Sequence, residues 1–364
     1  MNYPLIYQWA TELATHLPCF NSWQIENIAL FTLGIIQSQS SQQDNIARQV
    51  ICGERVESAS RRLRRFIAND KVDMNAFFED WTRWVVTSGH FEKLTLLIDE
   101  TKLHDKLGVM MVGLAWEGRC IPLAWRCYQA NNHYAYPAEG QVKVIEKLLT
   151  AIQKALPDGQ SVLVLADRGI GTSPELCRVV EKLGWHYLFR VTCQTKIICA
   201  EAEYTIAQTV QAGHIWQASG KIFKKRGRIP AHARAIWTDG YDEPWALVTN
   251  DARLAGFEYA SRNWQEQSFR DLKSYGWQWE GSKVRNPQKM ERMCILLVIA
   301  YAWVIALGCY AVQQGYARRV QHCHGKPIRR FLSLFKEGLI FFYEYVLRLG
   351  CCLTLLFAPD SRFT

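Results

Sequence analysis

Residues 161–167 have the sequence SVLVLAD, a short apolar run that ends on an acidic residue. A continuous run of Val and Leu of this length is typical of a strand that is buried on both faces in the centre of a sheet. A second run of this kind, KLTLLIDE at residues 93–100, contains Asp99 near its end. A carboxylate at the end of a buried strand needs solvent, a partner or a metal ion. Asp99 and Asp167 are therefore candidate functional residues, although Asp is also common as a plain strand terminator.

The segments around these runs alternate between strand and helix patterns. They are a hairpin at 108–129 that turns at Glu117-Gly118-Arg119, a helix at about 141–155, a helix at 174–183 that Ser173 caps, and a strand at 185–192. The order β-β-β-α-β-α-β predicts an α/β fold with a mixed sheet flanked by helices. In such sheets, ligand and metal sites collect at the carboxyl ends of the strands.

Changes of pattern divide the chain into predicted segments. They are a helical N-terminal domain at 1–88, the first part of the α/β core at 89–193, a β-rich insertion subdomain at 194–250, the second part of the core at 251–320 and a C-terminal helical segment at 321–364. A length of 364 residues fits two to three domains.

The composition favours a globular protein with a polyanionic partner. Hydrophobic residues make up 49% of the chain, and 43 Lys and Arg against 34 acidic residues give a net charge of +9. Nucleic acid and an anionic membrane surface both fit this charge. The 12 Cys are scattered without a CxxC pair, which favours reduced thiols in the cytoplasm and argues against zinc, even at Cys323 between two His.

Two basic clusters are candidate DNA-binding surfaces. The first follows a turn at Gly53 and comprises Arg61, Arg62, Arg64 and Arg65. It has the pattern of a DNA-reading helix or of a solvated basic helix face. The second comprises Lys224, Lys225 and Arg226, close in sequence to Trp216, Trp237 and Trp245. Basic and aromatic groups together suit single-stranded or distorted DNA, whereas the alternative is that these Trp fill a small core.

Residues 293–312, MCILLVIAYAWVIALGCYAV, contain no charge over twenty residues and meet the length test for a membrane span. A helix that is buried on all sides in a large core has the same pattern. Because a charge-rich segment precedes it directly, we expect a buried helix and no membrane.

A third acid lies in a predicted helix at about 256–274, which contains FEYASRNWQEQSFRDLK. Spacings of 3, 4 and 7 place Tyr259, Arg262, Glu266 and Lys273 on one face of such a helix. Asp271 points away from that face. Three carboxylates suit two Mg²⁺ ions, and the flanking cations suit phosphate. The alternative is an exposed helix with ordinary i,i+4 ion pairs.

These residues resemble a known signature. The segment from Tyr259 to Lys273 matches the Y-R-E-K signature of a family of bacterial insertion-sequence transposases, and LIDET and VLADRG resemble its first and second catalytic-acid motifs. The similarity extends over nearly the whole chain. It implies a ribonuclease-H-like catalytic core with a β-rich insertion, and an N-terminal domain that binds terminal inverted repeats.

The resemblance also implies a mechanism. Asp99, Asp167 and Glu266 would hold two Mg²⁺ or Mn²⁺ ions for nicking, hairpin formation, hairpin opening and transfer of the DNA end into target DNA. Tyr259, Arg262 and Lys273 would grip phosphates, and Trp237 or Trp264 would stack on a flipped base.

Cutting two ends together implies a homodimer on DNA. Residues 331–357 are a candidate dimer surface, although ordinary core packing also explains their apolar character. The alternative functions are a nuclease of the same fold that never joins strands and an inactive copy that only binds the repeats.

Overall fold

Helices and strands follow each other in the order that the sequence predicts for the core. The computed structural model describes residues 3–50, 55–89, 91–131, 137–224, 227–316, 320–321, 329–330, 332–352, 354 and 357. The strands are β1 (Lys93–Leu103), β2 (Leu107–Trp116), β3 (Arg119–Gln129), β4 (Ser161–Ala166), β5 (His186–Arg190), β6 (Lys196–Cys199), β7 (Ala202–Thr205), β8 (Ile215–Ile222), β9 (Ile229–Ile236), β10 (Trp245–Thr249), β11 (Val320–Gln321) and β12 (Arg329–Arg330). The α-helices are α1 (Tyr3–His16), α2 (Ser22–Ser38), α3 (Gln43–Gln49), α4 (Val56–Ile67), α5 (Met74–Thr87), α6 (Gly140–Gln153), α7 (Arg168–Gly171), α8 (Pro174–Lys182), α9 (Asn263–Arg270), α10 (Pro287–Gln313), α11 (Leu334–Phe341) and α12 (Leu347–Leu349). Short 3₁₀ turns lie at Ile206–Gln208, Phe257–Arg262 and Trp279–Ser282, and π turns lie at Asp271–Tyr275 and Phe342–Val346.

The central feature is a mixed sheet of ten described strands in the order β3-β2-β1-β4-β5-β10-β9-β8-β6-β7. Strands β1, β4 and β5 run parallel, whereas β2, β3 and β10 pair antiparallel with their neighbours. The carboxyl ends of the three parallel strands therefore meet at one edge. The prediction of an α/β fold with a mixed, helix-flanked sheet is confirmed, and the arrangement is consistent with a ribonuclease-H-like core.

The two faces of the sheet are covered differently. Ile98 and Val164 belong to the large core that includes α6 and α8. Leu97 and Leu165, on the opposite face, belong to a small apolar cluster that includes Tyr259. Because strand residues alternate between faces, every second residue of β1 and β4 is directed towards the segment around Tyr259.

The segment predicted as a β-rich insertion extends the same sheet. Strand β10 pairs with β5 on one side and with β9 on the other, and β8, β6 and β7 follow in turn. The β-rich character is as predicted, and the hydrogen bonding continues from the core sheet into this segment without a break. The boundaries at 194 and 250 stay a prediction.

The N-terminal helices pack against the long helix α10. Trp9 of α1 stacks on Trp303 of α10, with ring centroids 4.1 Å apart and planes 10° apart. Residues from α1 to α5 and from α10 share one apolar core. The helical character of residues 1–88 is as predicted, and the domain boundary at residue 88 stays a prediction.

The uncharged stretch 293–312 lies inside this core. Helix α10 is long and apolar enough to cross a membrane, but 94% of its most apolar window is buried within the protein. The burial explains the composition, because a helix covered on all sides has no polar face.

The C-terminal helix α11 packs closely on α10. A Cβ atom on Gly338 would lie 1.8 Å from the carbonyl oxygen of Val304, so the two backbones approach as only Gly permits. Leu334, Phe335 and Phe342 are buried there. The described part of the segment 331–357 therefore serves largely as core packing, and its role in a dimer stays a prediction.

Candidate active site

The two acids lie side by side. Ile98 and Ala166 are paired across the parallel strands β1 and β4, and Asp99 and Asp167 are the next residues. Asp167 directly follows β4 as predicted, whereas the prediction that Asp99 ends its strand is wrong, because β1 stays paired with β2 as far as Leu103. The Oδ1 atom of Asp99 accepts from the backbone N–H of Glu100 at 2.9 Å. Asp167 caps α7, and its Oδ1 accepts from the N–H groups of Gly169 and Ile170, both at 3.1 Å. Each side chain thus has one oxygen fixed by the backbone, and the other is turned towards a common space.

The segment that carries Glu266 is not the uniform helix predicted at 256–274. It begins as the 3₁₀ turn Phe257–Arg262, continues as α9 and ends as the π turn Asp271–Tyr275. Gly256 has φ of 104°, and its N–H donates to Glu258, which tightens the entry into a 3₁₀ turn. The π turn adds a residue to the last turn, and this segment buries Asp271 and leaves the Lys273 side chain half-buried. The prediction of one regular helix is wrong for these physical reasons.

Arg262 lies between the three acids. Its Nη2 donates to Asp99 Oδ2 at 2.9 Å and lies 3.6 Å from Asp167 Oδ2. Its Nη1 donates to Oε1 of Glu266, one helical turn further on. The structure therefore brings Asp99, Asp167 and Glu266 together around one guanidinium. Burial opposes the charge of Arg262, but the carboxylates outweigh this effect and raise its pKa.

The acids have an excess of negative charge in a half-closed space. Burial raises the pKa of Asp99 to about 6, an effect that Arg262 opposes and that the charges of Asp167 and Glu266 reinforce. The buried Nε of Arg262 has no hydrogen-bond partner among the described residues. The single positive charge of Arg262 does not balance the three carboxylates. A further cation would therefore reduce the repulsion between them.

The donor set fits divalent metal ions. Carboxylate oxygens are the ligands that Mg²⁺ and Mn²⁺ prefer, and one oxygen of each acid already faces a cation. In the present arrangement, within the described ranges, no three acidic, His or Cys side chains are close enough to share one ion. The guanidinium lies between them, so Arg262 must move for the three acids to close around a metal ion.

Residues 138–303 match the family model of the transposase DDE domain. The match covers less than half of the chain and includes Asp167 and Glu266, while Asp99 precedes it. It supports a DDE transposase, an enzyme that depends on divalent metal ions and acts on DNA. No curated protein matches the chain.

The other two signature residues lie apart from the acids. Tyr259 is buried with its ring edge-to-face against Trp245 at 5.2 Å, and burial raises its pKa to about 12. Lys273 donates from Nζ to the carbonyl oxygen of Lys102 at 2.7 Å, three residues beyond Asp99, and burial lowers its pKa. Arg262 thus contacts the acids directly, Lys273 lies at the edge of the site, and Tyr259 packs beneath it.

The described residues of the two basic clusters lie mostly at the surface, which fits either interpretation of their charge. Arg61, Arg64 and Arg65 are exposed on α4, whereas Arg62 is half-buried and donates to Asn27 at 2.7 Å. Lys224 is exposed, and Lys225 and Arg226 lie outside the described residues, as do Gly53 and Cys323. A role of these clusters in DNA binding stays a prediction.

Both candidate stacking residues are half-buried. Trp264 packs against the small apolar cluster under the acids. Trp237 packs against the large core, and its Nε1 donates to the carbonyl oxygen of Tyr241 at 2.8 Å. Each residue is partly accessible, and stacking on a base stays a prediction for both.

A second ionic group, which the sequence did not indicate, fixes α9 from below. Arg119, the first residue of β3, donates to Oδ2 of the buried Asp271 at 2.5 Å. The Tyr301 hydroxyl donates to Ser268 at 3.0 Å, and Ser268 accepts from the N–H of Cys120 at 2.6 Å. This network fixes the helix that carries Glu266 to the start of β3. The one available signal was an Arg in the predicted hairpin turn, which alone indicates nothing.

Proposed function

We propose that this chain is a DNA transposase that binds the terminal inverted repeats of an insertion sequence, excises the element by cut-and-paste and joins it to target DNA. One observation carries the proposal: the carboxylates of Asp99 in β1, of Asp167 directly after the parallel strand β4 and of Glu266 in α9 converge on a single cation, Arg262. The match to the transposase DDE domain supports the same function.

The three acids have the central role. Asp99 and Asp167, together with Glu266, would hold two Mg²⁺ or Mn²⁺ ions. When bound, such ions activate a water or a 3′-hydroxyl and stabilise the leaving oxygen of an in-line displacement at phosphorus. Arg262, displaced from the carboxylates, would donate to a phosphate oxygen beside the break, where its unpartnered Nε also finds an acceptor.

Each step in the proposed order exchanges one P–O bond for another. Water first cuts one strand at the transposon end, and the freed 3′-hydroxyl then attacks the opposite strand to form a hairpin. Water opens the hairpin, and the same 3′-hydroxyl attacks target DNA. The sharp bend of a hairpin unstacks a base, and Trp237 or Trp264 would stack on it.

The remaining surfaces would hold the DNA. Lys273 extends the site along the strand, while the Arg cluster of α4 and the basic segment 224–226 would contact the repeats. Two protomers would act together as a homodimer on DNA in the cytoplasm.

The test is cleavage of a plasmid that carries this gene with its native flanking DNA, with Mg²⁺ supplied or chelated. We expect the intact protein to excise the element only with metal, and D167A and E266Q to be inactive. Asp158 offers a matched control, because it is an exposed acid that precedes β4, whereas Asp167 follows it. D158N should excise like the intact protein.

Other outcomes would contradict the proposal. Cleavage without any joined product would identify a nuclease of this fold instead. Binding to the flanks without cleavage would identify an inactive copy.

A further inference from the structure

The acids are part of a longer row of side chains. Leu97, Leu165 and Leu188 lie in the same small apolar cluster, on the face of the sheet near Tyr259. Asp99, Asp167 and Arg190 each lie two residues beyond one of these Leu on the parallel strands β1, β4 and β5. Residues two apart on a strand share a face, and neighbouring strands are about 4.8 Å apart. Arg190 therefore follows the two acids in the row, one strand beyond Asp167.

A second arginine joins it. Arg168 is the residue after Asp167 and the first residue of α7. Arg168 Nη1 and Arg190 Nη2 both donate to the same oxygen, Oε1 of Glu243, at 3.1 and 2.6 Å. Glu243 lies in the turn between β9 and β10, and its other oxygen accepts from the thiol of Cys193 at 3.4 Å. The two guanidiniums thus converge on one oxyanion beside the acids.

The charge and the exposure of these side chains would allow another anion to replace the carboxylate of Glu243. Two guanidiniums against one carboxylate leave a positive charge, and guanidinium forks bind phosphate with the same geometry as carboxylate. The side chains of Arg168 and Glu243 are 54% and 44% exposed, so their ion pair is weak and easily replaced. The hydrogen bond from Cys193 and the two guanidiniums lower the pKa of Glu243, which stays ionised at neutral pH.

We propose that Arg168 and Arg190 form a binding site for a backbone phosphate of the DNA strand that is cut, and that Glu243 occupies this site until DNA replaces it. The inference rests on the proposed function. It places a phosphate about one strand spacing from Asp167, where it would fix the register of the strand over the acids.

The chain offers a matched control. Glu203 also bridges two cations, Lys196 at 2.7 Å and Arg228 at 3.4 Å, and its side chain is 41% exposed. It lies on β7, the strand at the far edge of the sheet. E203Q and E243Q therefore remove the same charge from similar ion pairs, and only E243Q does so beside the acids.

The experiment measures binding of a fluorescent 30-base-pair duplex in EDTA over a range of NaCl concentrations. We expect E243Q to bind about threefold to tenfold more tightly than E203Q, because DNA no longer has to displace the Glu243 carboxylate from Arg168 and Arg190. R190Q should bind more weakly than the intact protein, and the magnitude of its salt slope should fall by about 0.9, the contribution of one phosphate. E243Q should give no gain in the R190Q background.

Two results would overturn the inference: equal affinities of E243Q and E203Q, or a gain from E243Q that persists in R190Q. R190K keeps the charge and should retain the salt slope, which separates loss of the phosphate contact from a folding defect in R190Q. Failure of the proposed function is recognised separately, because the intact protein would then not cut the flanking DNA with Mg²⁺. If it does cut and E243Q behaves as E203Q, only the present inference fails.

Discussion

Two groups of arginine and carboxylate lie on opposite sides of α9, and they differ in balance and exposure. Arg262 faces three acids, of which Asp167 and Glu266 have side chains 35% and 44% exposed. Arg119 faces one acid, Asp271, and both side chains are nearly closed to solvent. The first group has surplus negative charge and access for a ligand, whereas the second is neutral as a pair and closed. The difference indicates a site that binds cations above α9 and a structural pair below it.

The largest expected effect concerns the first, more exposed group, in which Arg262 faces the three acids (the open group). E266Q and D167A should reduce metal-dependent cleavage by about 10³-fold or more, because a carboxylate that holds the reacting centre is lost. E266Q should leave the melting temperature unchanged, since Glu266 is partly exposed, whereas D167A should lower it slightly, because Asp167 caps α7. Gel analysis of the flanking-DNA plasmid and thermal unfolding check the two expectations. Retained cleavage in E266Q would end the distinction between the two groups.

Substitutions in the second group, the pair Arg119 and Asp271 (the closed group), should lower stability. D271N leaves Arg119 as an unpaired buried charge and should lower the free energy of unfolding by about 3–5 kcal/mol. Replacing both partners by apolar residues, as in R119M/D271L, should restore most of the loss, because no unpaired charge remains. Urea unfolding measures both variants. Full stability of D271N would show that the pair has no structural role.

The pKa of Asp99 predicts how the stability of the protein depends on pH. Its pKa is about 6 in the folded protein against a usual value of 3.8, so between these values the folded state binds more protons than the unfolded state. The intact protein therefore loses stability as pH rises through this window, and the full cost is present above pH 6. In EDTA, D99N should be more stable than the intact protein by on the order of 1–3 kcal/mol at pH 8, and by less at pH 5.

Thermal unfolding across this pH range tests the expectation. A difference between D99N and the intact protein that does not change with pH would contradict it.

The smallest effect concerns Lys273, at the edge of the open group. K273Q should reduce the magnitude of the slope of log K against log salt by about 0.9 for duplex DNA, the contribution of one phosphate. Lys154 is the control, since it is an exposed Lys on another surface, paired with Glu79 at 3.0 Å. Equal slopes for K273Q and K154Q would show that Lys273 does not contact a DNA phosphate.

The sequence predicts those features that repeat with a short period. The apolar run 161–167 predicts β4 and the position of Asp167 directly after it, whereas the run 93–100 predicts a strand that ends near Asp99 although β1 continues to Leu103. Helix α10 was ambiguous from composition alone, because a buried helix and a membrane span have the same pattern. Only its packing against Trp9 and α11 decides between them.

Features that depend on distant partners were not predictable. The π turn at 271–275 buries Asp271 against Arg119, which lies 152 residues away in sequence. The position of Arg262 between the acids also requires the fold, since spacing alone gives only the neighbour Glu266. Arg190 did have a signal, because it lies at the end of an apolar run just as Asp167 does, but its partner Glu243 lies in an irregular turn.

The central claim is that the carboxylates now bridged by Arg262 form a site for divalent metal. The most direct test is titration with Mn²⁺, followed by electron paramagnetic resonance, in the presence of duplex DNA. We expect two bound ions for the intact protein, loss of binding in D167A and E266Q, tighter binding in R262Q, and unchanged binding in D271N where that variant is folded. Equal Mn²⁺ binding by the intact protein, D167A and E266Q would contradict it.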